Sequence, residues 1–466
     1  MTDRAAPAPP PATSVRQRIL RGLGANAFGQ LVTVVVQLAG VPILLHAWGA
    51  QLYGEWLLLF AIPAYLAMTD LGFTQSACND MTARVARGDR AGALSVFQSI
   101  GLLVYAIAAL GLILTAAAVP WLALAEWLNF QAMDARTAQW VLWLLVAQVL
   151  VTLPDGVTHA GFRAGGEYAL HFGLHSVVRL LQFSGVWIAA LAGGGPLAAA
   201  AIFLGVRALA TAAFALLVVR RHRWLCYGRA AASAAELRRL LRPALANTAI
   251  PLAQALNIQG MVVVVGAVLG PLAVVVFSTL RTLTRLAMQM VMIVANATEP
   301  ELAAAHGAGN RELLRRLFIR ALGGGLWLAL FAAGGLALFG SWLLELWTHG
   351  RVVMDGALFG WLLASAVASV LWFGGLTVLK AANRHLRAAS VYVIASAAAV
   401  SLAAALLHWT GQLAHAGMAL LVMDAAMALY VLGAAAALLA ERPLPLLLRT
   451  LDPRPVAALA RSRFRF

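Results

Sequence analysis

The sequence predicts an all-α polytopic membrane protein made of two six-helix lobes arranged as parallel repeats. Three observations carry this prediction: apolar runs of bilayer length, a one-sided distribution of Lys and Arg, and a repeat of the pattern at one fixed offset. Of 466 residues 62% are hydrophobic and 11% charged, against about a quarter charged in an ordinary soluble chain. Mean hydropathy is +0.84. Apolar runs of roughly 20 residues, enough to cross about 30 Å of hydrocarbon as a helix, recur from end to end. No polar block is long enough to form a soluble domain.

The runs place twelve spans at 24–46, 52–75, 95–119, 138–158, 171–193, 196–219, 243–269, 272–297, 317–340, 356–379, 388–409 and 413–440. GGGP at 193–196 and GP at 270–271 leave so little chain that their flanking spans form tight helical hairpins. With the N-terminus inside, 28 of the 34 Lys and Arg fall on cytoplasmic segments, counting Arg320 at the mouth of the ninth span. The outer loops hold Arg136 and Arg351, and four more arginines lie within spans. Positive loops are retained inside, so this split supports an even span count and two cytoplasmic termini. The net charge of +16 is therefore mostly a topology signal, and a nucleic-acid partner is not expected. Cys78 and Cys226 both fall on the inner side, where a disulfide is not expected.

Five segments follow: a disordered basic N-terminus at 1–23, a first lobe at 24–219, a basic connecting loop at 220–242, a second lobe at 243–440 and a basic tail at 441–466. MTDRAAPAPPPATS is Pro/Ala-rich, and the apolar run behind it is long enough to be the first span rather than a cleaved signal. Shifting the chain by 221 residues superposes Asn26 on Asn247, Gly49-Ala50 on Gly270-Pro271, Gly88-Asp89 on Gly309-Asn310, and Phe97 on Phe318. Six spans per repeat give both copies the same orientation. In such parallel repeats substrate usually binds between the halves near the midplane, so the architecture suggests a transporter.

Polar residues inside the spans indicate where. Asn26, Gln30, Thr33 and Gln37 follow a 4-3-4 spacing that keeps them on one helix face. One repeat later come Asn247, Pro251, Gln254 and Ile258, with Asn257 and Gln259 flanking the last. Such a stripe either lines a cavity or hydrogen-bonds helices together. In the eighth span, FSTLRTLTRLAMQM sets Arg281 and Arg285 near the bilayer centre, with Gln289 on the same face. Against lipid each arginine would cost at least ~2.5–3.5 kcal/mol, so they must face protein or water. Arg207 is mid-span in the sixth helix, and Arg179 lies a third of the way along the fifth.

Acidic partners are fewer. Asp424 is central in the twelfth span, and Asp70 and Asp155 lie toward the inner ends of the second and fourth. Arg281 or Arg285 could form a structural ion pair with Asp424, but one aspartate cannot neutralise four arginines. The surplus predicts a cationic interior and an anionic substrate, since Arg forks suit phosphate oxygens. Asp424 and Asp70 are candidates either for proton coupling or for a structural partner role. Glu55 beside Trp56 is expected at the outer headgroups. His159, His171 and His175 read as interfacial packing. No metal spacing, Walker motif or paired catalytic constellation is present, so neither cofactor nor enzymatic activity is expected.

The stretch LYGEWLLLFAIPAYLAMTDLGFTQSACNDMTARVARGD, with Gly54-Glu55-Trp56, Asp70-Leu71-Gly72 and Gly88-Asp89, resembles the second span and following loop of the polysaccharide transporter branch of the multidrug/oligosaccharidyl-lipid/polysaccharide (MOP) superfamily. That branch comprises the Wzx-type O-antigen and exopolysaccharide flippases, and LKAANRHLRAAS at 379–390 looks like its segment between spans ten and eleven. The resemblance implies a V-shaped bundle in the bacterial cytoplasmic membrane. It would move undecaprenyl-diphosphate-linked oligosaccharide from the inner to the outer leaflet by alternating access, alongside polymerase and export machinery. Arginines in the cavity of the related peptidoglycan-precursor flippases imply a diphosphate role for Arg281 and Arg285, and less directly for Arg179 and Arg207. The rival readings are a MATE-like cation or drug antiporter, which needs an acidic or aromatic cavity, and a membrane polymerase or ligase, which needs reactive groups in a large outer loop.

Overall fold

The computed structural model describes residues 15–68, 72–382 and 384–452 and is helical throughout, with no strand among the described residues. In chain order the helices are α1 (Val15–Ala61), α2 (Phe73–Ala86), α3 (Arg90–Ala118), α4 (Leu124–Trp127), α5 (Ala135–Ala164), α6 (Tyr168–Leu191) and α7 (Pro196–Arg221). The second half continues with α8 (Ala234–Ala255), α9 (Met261–Leu269), α10 (Pro271–Gly307), α11 (Arg311–Thr348), α12 (Gly356–Ala381), α13 (Leu386–Thr410), α14 (Ala414–Leu439) and α15 (Pro443–Leu451). Among the described residues, ten helices are long and apolar enough to cross a membrane.

The predicted first and second spans run together as the 47-residue α1, which is broken at Gly49 with φ 74° and ψ 172°. The predicted seventh and eighth spans meet at Gly270, with φ 85° and ψ 176°. Both values lie in a region that a Cβ essentially forbids. The same residue at the same place in each half therefore turns the chain between two spans. The repeat also holds at the following turn. Gly88 and Gly309 have φ 83° and 67°; Asp89 then caps α3 through Gly92 N, and Asn310 caps α11 through Leu313 N. Phe97 and Phe318 are both fully buried. The landmarks that align in sequence are thus the positions where backbone geometry or core packing leaves little choice.

Several boundaries differ from expectation. Helix α1 already begins at Val15, inside the segment expected to be disordered; VRQRIL at 15–20 has helix-forming residues and neither Gly nor Pro. The connecting loop is shorter than 220–242, since Ser233 caps α8 through Ala235 N. The basic tail contains α15, whose Leu446 and Thr450 are buried. The second span's helix ends at Ala61 and continues as a 3₁₀ turn over Ile62–Met68.

Glu55 faces protein rather than solvent. It is fully buried and accepts from Gln131 N at 2.7 Å, Ala132 N at 2.8 Å and Gln51 Nε2 at 2.9 Å. A buried carboxylate persists when backbone donors replace its water, and this one pins the loop between α4 and α5. Next to it, a Cβ at Gly54 would lie 2.3 Å from the carbonyl oxygen of Pro271, so the two halves touch backbone to backbone. Trp347 Nε1 bonds Leu38 O and Arg351 Nη1 bonds Leu45 O, both at 2.7 Å, fastening α1 to the far end of α11. Asp80 and Arg84 of α2 are joined to Glu236 and Arg239 of α8 by ion pairs of 2.5–2.8 Å.

Candidate functional site

A cavity of about 330 Å³ opens within the second half. Its walls come from α8, the turn after it, α10, α12, α13 and α14. The site was expected between the lobes; instead its lining belongs to residues 254–424 alone. A hydrogen bond ties it to the first half, from Gln289 Nε2 on the rim to Gln37 Oε1 at 3.1 Å.

Arg281 and Arg285 both line this cavity. At about 1.5 Å per residue they lie ~15 and ~21 Å along α10 from its start at Pro271. Their environments differ. After Ala255 the helix passes through a π-turn over Leu256–Gly260. Such turns leave carbonyls exposed to outside donors. Arg281 supplies them: Nη1 donates to Asn257 O at 3.0 Å and Ile258 O at 3.5 Å, and Nη2 donates to Asn257 Oδ1. Its guanidinium also lies 5.5 Å from the Phe277 ring centre. Arg285, one turn on, is exposed to the cavity and has no hydrogen-bond or ion-pair partner among the described residues.

Asp424 lines the same cavity but is not paired with either arginine. It accepts from Ser365 Oγ at 2.5 Å and Trp372 Nε1 at 2.9 Å, and no ion pair joins it to an arginine among the described residues. Two neutral donors hold its carboxylate, so the cavity lining carries two guanidiniums against one carboxylate. Gln254, Asn257 and Gln289 line the cavity as the polar stripe suggested.

The first-half candidates lie elsewhere. Arg207 is buried at 5% exposure; Nη2 donates to Gln182 Oε1 at 3.0 Å, and Nη1 lies 3.8 Å from Asp155. It belongs to the packing of α5, α6 and α7, because an arginine buried there needs a counter-charge, and it is absent from the cavity lining. Arg179 is half-buried and donates to Thr33 Oγ1 at 3.2 Å, joining α6 to α1. Asn26 and Gln30 are exposed, outside the cavity, and Asn26 Nδ2 turns back onto its own helix at Gly22 O. The side chain of Asn247 and the whole of Asp70 lie outside the described residues.

Three features escaped the sequence reading. Ser365, Ser369 and Trp372 line the cavity from α12, and their 4-3 spacing in an apolar span was the available signal. Tyr392 gave none. The third is a buried network in the first half, where the histidines are more than packing. Asp155 Oδ1 is 3.0 Å from His171 Nε2, and His171 Nδ1 is 3.0 Å from His159 Nδ1. Asp155, His159, His171 and His175 line a second cavity of about 490 Å³. Asp155 and His171 come from different helices, and nothing in their local sequences pairs them. Among the described residues no group of side chains is arranged to hold a metal ion.

No protein-family model and no curated protein sequence matches the chain. Solved structures do. An inward-facing multidrug-resistance MATE family transporter of the MOP superfamily matches with TM-score 0.68 and 16% identity, covering 97% of each chain. The fold is that of MOP superfamily transporters. An outward-facing multidrug-resistance MATE transporter matches at 0.63 with 17% identity, covering 91% of this chain and 96% of the other. A MOP superfamily transporter from Pyrococcus furiosus, described as having a binding pocket of reversed polarity that suggests a different function, matches at 0.59 with 17% identity over 91% and 96%.

Proposed function

We propose that this chain is a lipid-linked oligosaccharide flippase of the bacterial cytoplasmic membrane, with both termini inside. It would carry undecaprenyl-diphosphate-linked repeat units, of O-antigen or exopolysaccharide, to the outer leaflet. The observation behind this reading is Arg285: a permanent charge in a cavity, with no ion-pair partner among the described residues and a second guanidinium one turn away. Desolvated charge of that kind is costly and marks a ligand of opposite sign. A diphosphate brings two or more negative charges and oxygens spaced for guanidinium forks.

Arg281 would hold the π-turn and the field, and Arg285 would take the phosphate. Gln254, Asn257 and Gln289 supply neutral hydrogen bonds around it, and the polyprenyl tail would stay in lipid. An inside-negative potential of 100 mV favours the exit of two negative charges by about 4.6 kcal/mol.

The rival is a MATE-like cation or drug antiporter, favoured by the description of the matching multidrug transporters and by the carboxylate in the cavity. That carboxylate accepts from Ser365 and Trp372, and the two guanidiniums of the lining outnumber it. Thermal unfolding of the purified protein separates the readings. Undecaprenyl diphosphate at a hundred times its Kd should stabilise the chain by about 2.7 kcal/mol, while lipophilic cations such as ethidium leave it unchanged; the reverse result supports the antiporter.

Orientation has its own test. Cys226 is exposed and Cys78 buried, so a membrane-impermeant maleimide should label Cys226 in inside-out vesicles only. Labelling in right-side-out vesicles would invert the topology.

A further inference from the structure

The cavity in the first half shares no lining residue with the Arg285 cavity, and its chemistry differs. Asp155, its acid, lies 3.0 Å from His171 and 3.8 Å from the buried Arg207, so the pair cancels. The half-buried polar lining includes the neutral Gln148, Thr152, His159 and His175. One wall is aromatic, where Tyr168 and Phe172 stack with ring centres 5.8 Å apart. At about 490 Å³ the cavity falls within the usual 300–1,000 Å³ range of small-ligand sites.

Helix α1 sets the spacing of the two cavities. Its backbone at Gly29 lies against Phe172, because a Cβ there would come within 2.7 Å of that ring. One turn further Thr33 receives Arg179, and another turn on Gln37 receives Gln289. Phe172 lines the neutral cavity and Gln289 the cationic one. The two rims are therefore about eight residues, or ~12 Å, apart along one helix face, with the Arg179 guanidinium between them.

We propose that the first-half cavity is a carbohydrate subsite. It takes a neutral sugar of the same substrate whose diphosphate sits at Arg285, and so it rests on the flippase reading. Pyranose C–H faces carry a slight positive charge and lie on the negative face of an aromatic ring. Amide, hydroxyl and imidazole groups match sugar hydroxyls as both donors and acceptors. A free anion would find no uncompensated cation in this cavity, and an apolar tail would bury its polar wall unsatisfied. Substrate selection would then be divided, with the charge read in the second half and the sugar in the first.

Equilibrium binding in nanodiscs tests this with two probes: undecaprenyl diphosphate, and the lipid-linked oligosaccharide extracted from cells that make this protein. The wild type should bind the glycosylated lipid roughly tenfold tighter, the equivalent of about 1.4 kcal/mol. Gln148→Ala with Tyr168→Ala should remove that preference and leave affinity for the bare diphosphate unchanged. Thr152→Val, nearly equal in volume, should reduce the preference in the same direction and covers the case in which the double variant fails to fold. Arg285→Gln should weaken both lipids equally. The subsite is overturned if the wild type binds the two lipids equally, if the variants keep the preference, or if they lose the bare lipid as well. A wild type that binds neither lipid overturns the flippase reading together with the subsite.

Discussion

Arg285→Gln is expected to reduce binding of undecaprenyl diphosphate by roughly 10- to 100-fold, since a charge-assisted hydrogen bond to an ionised partner contributes about 1.5–3 kcal/mol. Folding should not suffer. Arg285 has no partner among the described residues, so glutamine removes a desolvated charge and leaves nothing orphaned. The expected signature is an unchanged or raised melting temperature beside lost affinity. Arg281→Gln should behave differently: its guanidinium holds Asn257 and Ile258 in the π-turn, so stability and affinity fall together. Binding titrations and thermal unfolding on the two variants check both statements, and equal behaviour of the two would contradict the division of labour.

Asp155→Ala carries the largest expected cost in stability, about 3–5 kcal/mol, because it leaves Arg207 buried at 5% exposure without its carboxylate. His171 would lose its acceptor as well. Removing both charges should be milder than removing one. Asp155→Ala combined with Arg207→Met ought to recover part of the loss, since an apolar side chain leaves no uncompensated charge. Denaturant or thermal unfolding in detergent, run as a double-mutant cycle, gives the coupling. An additive cycle would mean that the 3.8 Å pair contributes nothing.

The architecture was legible because in a bilayer few structures satisfy the backbone. Length of apolar run, placement of Arg and an even repeat then leave little freedom. Gly49 and Gly270 show the limit of that legibility. Their alignment was visible in sequence, but the shared backbone break that separates two spans in each half needed coordinates. The cavity was half legible. Arg281 and Arg285 stood out because charge in an apolar run is expensive, and Gln254 and Asn257 because they repeat at helical spacing. Arg207 was misplaced for the same reason that it was noticed: a buried charge marks either a ligand or a counter-charge, and Asp155, 52 positions earlier in the chain, decides which. Ser365 and Trp372 take the carboxylate of Asp424 by a contact between α12 and α14. No local pattern encodes it.

The matching multidrug transporters and this chain share a fold at 16–17% identity, and function has to be argued from the lining of the cavity rather than from the fold. Leaflet exchange tests that lining most directly. Labelled undecaprenyl-diphosphate oligosaccharide from the producing cells would be placed in one leaflet of proteoliposomes, with transfer to the other read by an impermeant sugar-modifying reagent. The account predicts exchange well above protein-free vesicles with the wild type, and its loss with Arg285→Gln at full folded content. No exchange by folded wild type, or transport of a lipophilic cation instead, would contradict it.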